Sequence, residues 1–557
     1  MNSFDLIVGG RRVSSGVYDY QLDMERVIED PGLMIAFALK RAGWLGKLPS
    51  FILKRVGKTP EQRFLTDYIR VHGKPKLDET KLDEIVFARY SVATNKEIEQ
   101  AIDVAYRNRK KLYKSKIFGE PNGGLTTDER VDLLEKVGRL LIKEKETFKR
   151  LSFVEGKPLK IFEWEFHAVE RMVKRNFLSF MASLIEEREL ESIYGRGRLY
   201  LIRQPVGLFV IYSPYNAALG LGLYAVLSSL ISGNATIIKP PSKNPVSTIY
   251  MAYLFAEVFA QENVPEVFGC IVAQGEKLIG KLIKDPRVGG IMFYGQSEPG
   301  LRIWGDAARH AKVFVPELAG SDVCIVWRDA DLEKAAKYVA KYRFLGSGQF
   351  CMSIKRLIVD RYIADDFIKL LVEEAQKHRP GLPSDPNTSL AIMPPNVLYR
   401  ALFELNDAIA KGAKVECGGV RLNYMGEEDP AGLFLAPTVL TNVKPNMLIC
   451  DPSREAFFPI LPVQVADSIE EAIRLANRSN YGLRASLITE NEELQRRFAV
   501  EVESGGVLIN SEDHMHLDIQ MPNLGGVKWT GVKGAKYFPL EMTIQKYVYI
   551  GKGYDGN

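Results

Sequence analysis

The chain has 557 residues, 46% of them apolar and 26% charged, which excludes a disordered polymer and leaves room for two to four domains with large cores. Lys and Arg number 74 against 69 Asp and Glu, and a balance of +5 is too even for a chain built to hold phosphate backbones, so no nucleic acid partner is expected. Cys270, Cys324, Cys351, Cys417 and Cys450 form no C-x-x-C pair, so neither a disulfide framework nor a metal site is expected, and the chain reads as reduced and cytoplasmic.

The N-terminus, MNSFDLIVGGRR, lacks the basic start and apolar run of an export signal. Residues 1 to 79 form a basic, partly helical extension with a strand pair near DLIVGGRRV. Within it, residues 31 to 58 carry Lys40, Arg41, Lys47, Lys54, Arg55 and Lys58 with no acid, interleaved with Phe37, Trp44, Leu45, Phe51 and Ile52. A surface helix pair packed on the protein's own oligomer is the first reading of that segment, and peripheral membrane contact the sharper one. Farther on, NKEIEQAIDVAYRNRKKLY and TDERVDLLEKVGRLLIKEKETFKRL have the three-and-four spacing of amphipathic helices. Between Arg203 and Lys239 no residue is charged, a length able to cross a bilayer, yet Pro and Asn break it into strand VGLFVIYSP, helix GLGLYAVLSSLISG and strand NATIIKPP. The short apolar runs GGIMFYG, SDVCIVW, RLIVD and GGVLIN add buried strands, and the alternation with helices implies a mostly parallel α/β sheet covered on both faces.

Four of the cysteines sit in strand-like or ordinary contexts and read as packing thiols, whereas Cys351 follows a glycine-containing turn in FLGSGQFCMSIKR. Together, SPYNAALG (213 to 220), IIKPPSKNP (237 to 245), FYGQSEPG (293 to 300), PELAGSD (316 to 322), GQFC (348 to 351) and EAFFP (455 to 459) resemble, in order, the motifs of the aldehyde dehydrogenase superfamily over roughly residues 80 to 557. The C-terminal part, with NYGLRAS and MPNLGGVKWTGVKG, is most similar to the non-phosphorylating glyceraldehyde-3-phosphate dehydrogenase branch.

The resemblance implies an α/β fold with a Rossmann-type cofactor domain over 80–317, interrupted by bridging strands near 190–204. A catalytic α/β domain over 318–510 and a return segment over 511–557 with a bridging strand complete it. It implies NAD(P)-dependent oxidation of an aldehyde to the acid. Cys351 is the nucleophile, Asn216 and the Cys351 N–H bind the oxyanion, and Glu317 is the base that hydrolyses the thioester. Cofactor contacts fall on Ser213, Pro214, Lys239 and Ser242, on Gly295, Ser297 and Gly300 at a helix start, and on Glu455 and Phe457. Ser242 stands where many NAD-preferring relatives carry glutamate and is followed by Lys243, which favours NADP with NAD tolerated. A homodimer or homotetramer is expected, because bridging strands of this kind leave edges to be covered.

Three positions depart from the family pattern: Ala319 and Phe458 replace glycines, the second beside the expected nicotinamide site, and Lys528-Trp-Thr replaces K-x-S. An arginine and a tyrosine of the phosphate-handling branch are Phe350 and Ala217 here, implying an apolar mouth for a non-phosphorylated aliphatic or aromatic aldehyde. His514 and His516 read as a solvated loop, with His516 the candidate contact to a polar substrate, and they make no metal site. The alternatives are a glyceraldehyde-3-phosphate or semialdehyde dehydrogenase, a CoA-acylating enzyme, which Glu317 argues against, and a catalytically altered cofactor-binding or membrane-associated protein.

Overall fold

The structure is a computed structural model that describes residues 2–41, 59–73, 82, 84–119, 123–193, 197–515, 518, 525–531, 533–534 and 536–551. The uncharged stretch becomes its centre. Every residue of strands Leu208–Tyr212 and Ala235–Lys239 is buried, as befits parallel strands covered on both faces. Helix Ala218–Ile231 between them is buried nearly all round and stops where Gly233 takes a φ of 83°. The amphipathic helices Asn95–Asn108 and Thr127–Lys143 open with capping boxes, Thr94 with Glu97 and Thr126 with Glu129, that satisfy their first N–H groups.

Two seven-stranded sheets carry the architecture. In the first, Val313–Glu317, Gly290–Tyr294, Leu208–Tyr212, Ala235–Lys239 and Phe268–Cys270 run parallel. The chain lays its next two strands on one side of Leu208–Tyr212 and the later two on the other, which opens a crevice at the carboxyl ends where such sheets hold ligands. The second sheet runs Lys414–Cys417, Thr438–Thr441, Ile460–Ala466, Ile354–Asp360, Asp322–Val326, Arg484–Ile488 and Gly506–Ile509. Strand Thr543–Ile550 pairs antiparallel with Arg198–Pro205, from Thr543 against Pro205 to Ile550 against Arg198, and Arg188–Leu190 completes this small sheet.

The N-terminal segment is not an appendage. Hairpin Leu6–Val8 and Arg11–Val13 finishes the first sheet, with Ile7 opposite Cys270, and its three apolar residues are buried there beneath helices Asn95–Asn108 and Val246–Gln261. Strand Tyr18–Leu22 pairs with Val86–Ser91, and helices Met24–Glu29, Pro31–Arg41 and Pro60–His72 pack Val27, Ile28, Ile35 and Phe64 against Leu390, Leu433 and Phe434. The segment proposed to meet a membrane therefore turns Ile35 and Ala36 inward over its described part, while Arg41 pairs with Asp19 at 2.7 Å. Residues 42–58 of that segment lie outside the described residues. Among the described residues no helix is long and apolar enough to cross a membrane.

Candidate active site

The carboxyl ends of the first sheet deliver Ser213, Lys239, Gly295 and Glu317 to one cavity of about 400 Å³. Cys351 enters from the second sheet's side, on the turn before strand Ile354–Asp360, and Asn216 from the loop before helix Ala218–Ile231. The turn holds three successive left-handed residues, Gly346 at φ 62°, Ser347 at 57° and Gly348 at 65°, a conformation that costs about 1–3 kcal/mol at a non-glycine residue. Segment 389–392 straps it. The Gly346 N–H donates to Ser389 O at 2.7 Å, Ser347 Oγ to Ala391 O at 2.6 Å and Gln349 Nε2 to Ile392 O at 2.9 Å. From the other side the Asn216 amide donates to Gln349 O at 3.1 Å, which sets it beside the thiol.

Burial and the neighbouring Glu317 charge push the Cys351 thiol up to about 12, against the pull of Lys355. Burial likewise raises the Glu317 carboxyl to about 7, offset first by Lys536. Both Glu317 oxygens lack a hydrogen-bond partner among the described residues, so the carboxylate is available to a water.

The cofactor-side residues divide. Ser213, Pro214, Lys239, Ser242, Gly295, Glu455 and Phe457 line the cavity. Lys239 Nζ donates to Pro240 O at 2.7 Å and lies 3.4 Å from Ser242 Oγ, and burial draws its affinity down to about 8. Glu455 accepts from Gly320 N–H at 3.2 Å and lies 3.3 Å from Lys355 Nζ, which also donates to Phe350 O at 2.7 Å and to Cys351 O. Phe457 meets Tyr215 edge-on at 6.2 Å. A sugar and ring system fits this lining, where the buried Tyr212 hydroxyl has no partner among the described residues.

Ser297 and Gly300 lie in the first turn of helix Ser297–Arg309, next to the lining residues Gly295 and Gln296: Ser297 Oγ donates to Trp529 O at 3.0 Å, and a Cβ at Gly300 would lie 2.3 Å from Cδ2 of Leu318, itself a lining residue.

The family departures also resolve locally. Phe458 is fully buried in a cluster with Leu398, Leu405 and Ile460, where its backbone carbonyl accepts from Arg343, and it also forms part of the cavity lining beside Phe457. Ala319 has no positive φ, and Thr530 Oγ1 donates to Ala319 O at 2.7 Å.

A second cavity of about 350 Å³ shares Leu221 with the first and is lined by Trp164, Met172, Phe177, Ala217, Tyr224 and Met352, with Arg171, Lys174, Asp513 and Asp518 also present. Of the two residues expected at an apolar mouth, Ala217 lines this second cavity, whereas Phe350 packs edge-on against Trp164 at 5.8 Å and lines a third cavity that Asn216 also lines. His516 lies outside the described residues. His514, expected in solvent, is fully buried, with Nδ1 2.5 Å from Ser486 Oγ. Sequence reasoning missed helix Leu159–Met172 as a cavity wall and Lys355, Arg343 and Lys536 as buried cations, since lysine and arginine ordinarily read as solvated. Among the described residues no cluster of three metal-ligating side chains occurs.

Residues 77–548 match the model of the aldehyde dehydrogenase family. Lactaldehyde dehydrogenase of Methanococcus vannielii is 30% identical over 473 residues, covering 84% of this chain and 95% of that protein. The 3-sulfolactaldehyde dehydrogenase of Priestia megaterium is 29% identical, over 83% and 92% respectively. The crystal structure of a glyceraldehyde-3-phosphate dehydrogenase from Methanocaldococcus jannaschii complexed with NADP superposes with a TM-score of 0.73 at 27% identity, covering 84% of this chain and 97% of that one.

Proposed function

The chain belongs to the aldehyde dehydrogenase family and oxidises aldehydes with NAD(P), and we propose that Cys351, Asn216 and Glu317 perform that reaction. The observation that carries the assignment is that the three line one cavity together with Lys239 and Glu455. The Cys351 thiolate bonds to the aldehyde carbon, and the Asn216 amide and Cys351 N–H donate to the oxygen as it becomes an anion. A bound nicotinamide supplies the acceptor for the hydride that leaves this carbon. Glu317 then takes a proton from the water that attacks the thioester, and expulsion of the sulfur releases the acid and returns the thiolate.

For the cofactor we favour NADP, held by Lys239 and Ser242 at the adenosine ribose and by Glu455 at the other ribose. Ser242 offers no carboxylate to repel a 2′-phosphate, and Lys243 adjoins it. For the substrate we favour a non-phosphorylated aliphatic or aromatic aldehyde, which the aromatic and methionine lining of the second cavity suits. A homodimer or homotetramer is supported by two strands that end their sheets with no further partner among the described residues, Gly506–Ile509 and Thr543–Ile550, the latter exposing Ile544, Tyr547, Tyr549 and Ile550. The test is purified protein with NADP or NAD and a panel containing hexanal, benzaldehyde, lactaldehyde and glyceraldehyde 3-phosphate, with and without CoA. Reduction with NADP and an unphosphorylated aldehyde, without CoA, is expected. Strict CoA dependence, or a preference for glyceraldehyde 3-phosphate, sinks the corresponding part.

A further inference from the structure

Lys536 is only 6% exposed, and its surroundings are built to admit it. Gly525, at φ 90°, lies so close that a Cβ there would meet Lys536 Cε at 2.5 Å, and one at Gly531 would lie 3.4 Å from Nζ. The ammonium donates to Pro316 O at 2.9 Å, the carbonyl immediately before Glu317, whose two carboxylate oxygens have no partner among the described residues. A buried ammonium is costly unless an anion compensates it. The acids that act on it are Glu317 and Glu541, and Glu541 pairs at 3.2 Å with Lys533.

We propose that Lys536 is a positioning residue for thioester hydrolysis, its buried charge keeping Glu317 ionised at the end of strand Val313–Glu317 so that it can take a proton from water. This rests on Glu317 being the base. Of the other groups facing Glu317, the Gly525 backbone N–H also favours the ionised carboxyl, though less than Lys536 does, and the remaining side chains leave Lys536 that task. Tyr224 comes from helix Ala218–Ile231, Tyr294 from strand Gly290–Tyr294, Asp322 from strand Asp322–Val326 and Cys351 from its turn, and each carries no charge or a negative one. Arg484 is the other cation, but its backbone N–H meets Asp322 Oδ1 at 3.1 Å, its Nη1 donates to His514 O at 2.7 Å, and Asp322 opposes its charge. Lys536 exerts the largest downward pull on the Glu317 carboxyl.

Two substitutions separate charge from structure. Lys536→Gln keeps a donor for the Pro316 carbonyl and removes the charge, whereas Lys536→Arg keeps the charge. On the full chain with NADP and its best aldehyde, stopped-flow reports hydride transfer in the first turnover, and the pH profile of steady-state rate reports hydrolysis. The Gln variant is expected to move the acid limb of the steady-state profile upward by about one pH unit. That makes turnover about tenfold slower on the limb, recovered at alkaline pH, with first-turnover hydride transfer preserved. The Arg variant is expected to keep the wild-type limb. An unmoved limb in the Gln variant, an equal movement in the Arg variant, or equal loss in both half-reactions at every pH overturns the proposal. Wild-type turnover in Glu317→Gln instead removes the base itself. A crippled Glu317→Gln beside an unmoved Lys536→Gln limb removes only the role of Lys536.

Discussion

The nucleophile and the base reach the same cavity under opposite regimes. Around Cys351 the backbone carbonyls and the turn are tied: segment 389–392 straps the turn, Lys355 holds the Phe350 and Cys351 carbonyls, and Arg343 gathers Ala456 O at 3.2 Å, Ile460 O at 2.6 Å and Phe458 O. Around Glu317 the carboxylate is left without a hydrogen bond among the described residues and senses Lys536 only through the field. The difference matches what each must do. A nucleophile gains from a fixed line of approach, whereas a base that acts on water after the hydride has left needs an unfilled valence and a proton affinity near neutrality.

The contrast breaks first at its ends. Cys351→Ala is expected to abolish reduced-cofactor formation entirely. Glu317→Gln is expected to keep one burst per site while steady-state turnover falls by about 10²- to 10⁴-fold, measured by stopped-flow against steady-state absorbance. A Glu317→Gln enzyme lacking the burst would mean that the carboxylate acts before hydride transfer. The two pH dependences sharpen it next. With its thiol held near 12, free Cys351 is expected to react with iodoacetamide about tenfold faster per pH unit across the neutral range, whereas hydrolysis levels off above about pH 7, once Glu317 has ionised. Coincident profiles would mean that one group controls both. The smallest effect falls on the frame: a Cβ at Gly348 would lie 2.8 Å from Arg343 O in a left-handed residue, so Gly348→Ala is expected to cost about 1–3 kcal/mol in denaturant unfolding and to slow the burst more than hydrolysis.

The chemical residues were legible because motifs record side chains whose type cannot vary: Cys351, Glu317, Asn216, Lys239 and Glu455 all reach the cavity. The parallel sheet was legible because VGLFVIY and ATIIK are apolar without alternation. What stayed hidden depends on tertiary partners. Phe458 beside a motif glutamate reads as an intruder until its cluster with Leu398 and Leu405 is known, and His514 reads as solvated until Ser486 is placed against it. Ser297 and Gly300 look like anion-binding residues in isolation, and their packing contacts with Trp529 and Leu318 could not be read from the sequence. The edge hairpin was hardest to foresee, since three apolar residues pair with a strand about 260 positions away.

That hairpin governs how the protein can be cut and made. Strand Phe268–Cys270 is completely buried, and the N-terminal hairpin supplies its outer neighbour. A chain beginning at residue 80 would retain the proposed catalytic residues while baring a row of backbone donors and acceptors, an invitation to intermolecular strand pairing. During synthesis this hairpin is made well before its partner strand and must wait for it, so the sheet that holds the cofactor side of the cavity is finished by a segment about 260 positions upstream.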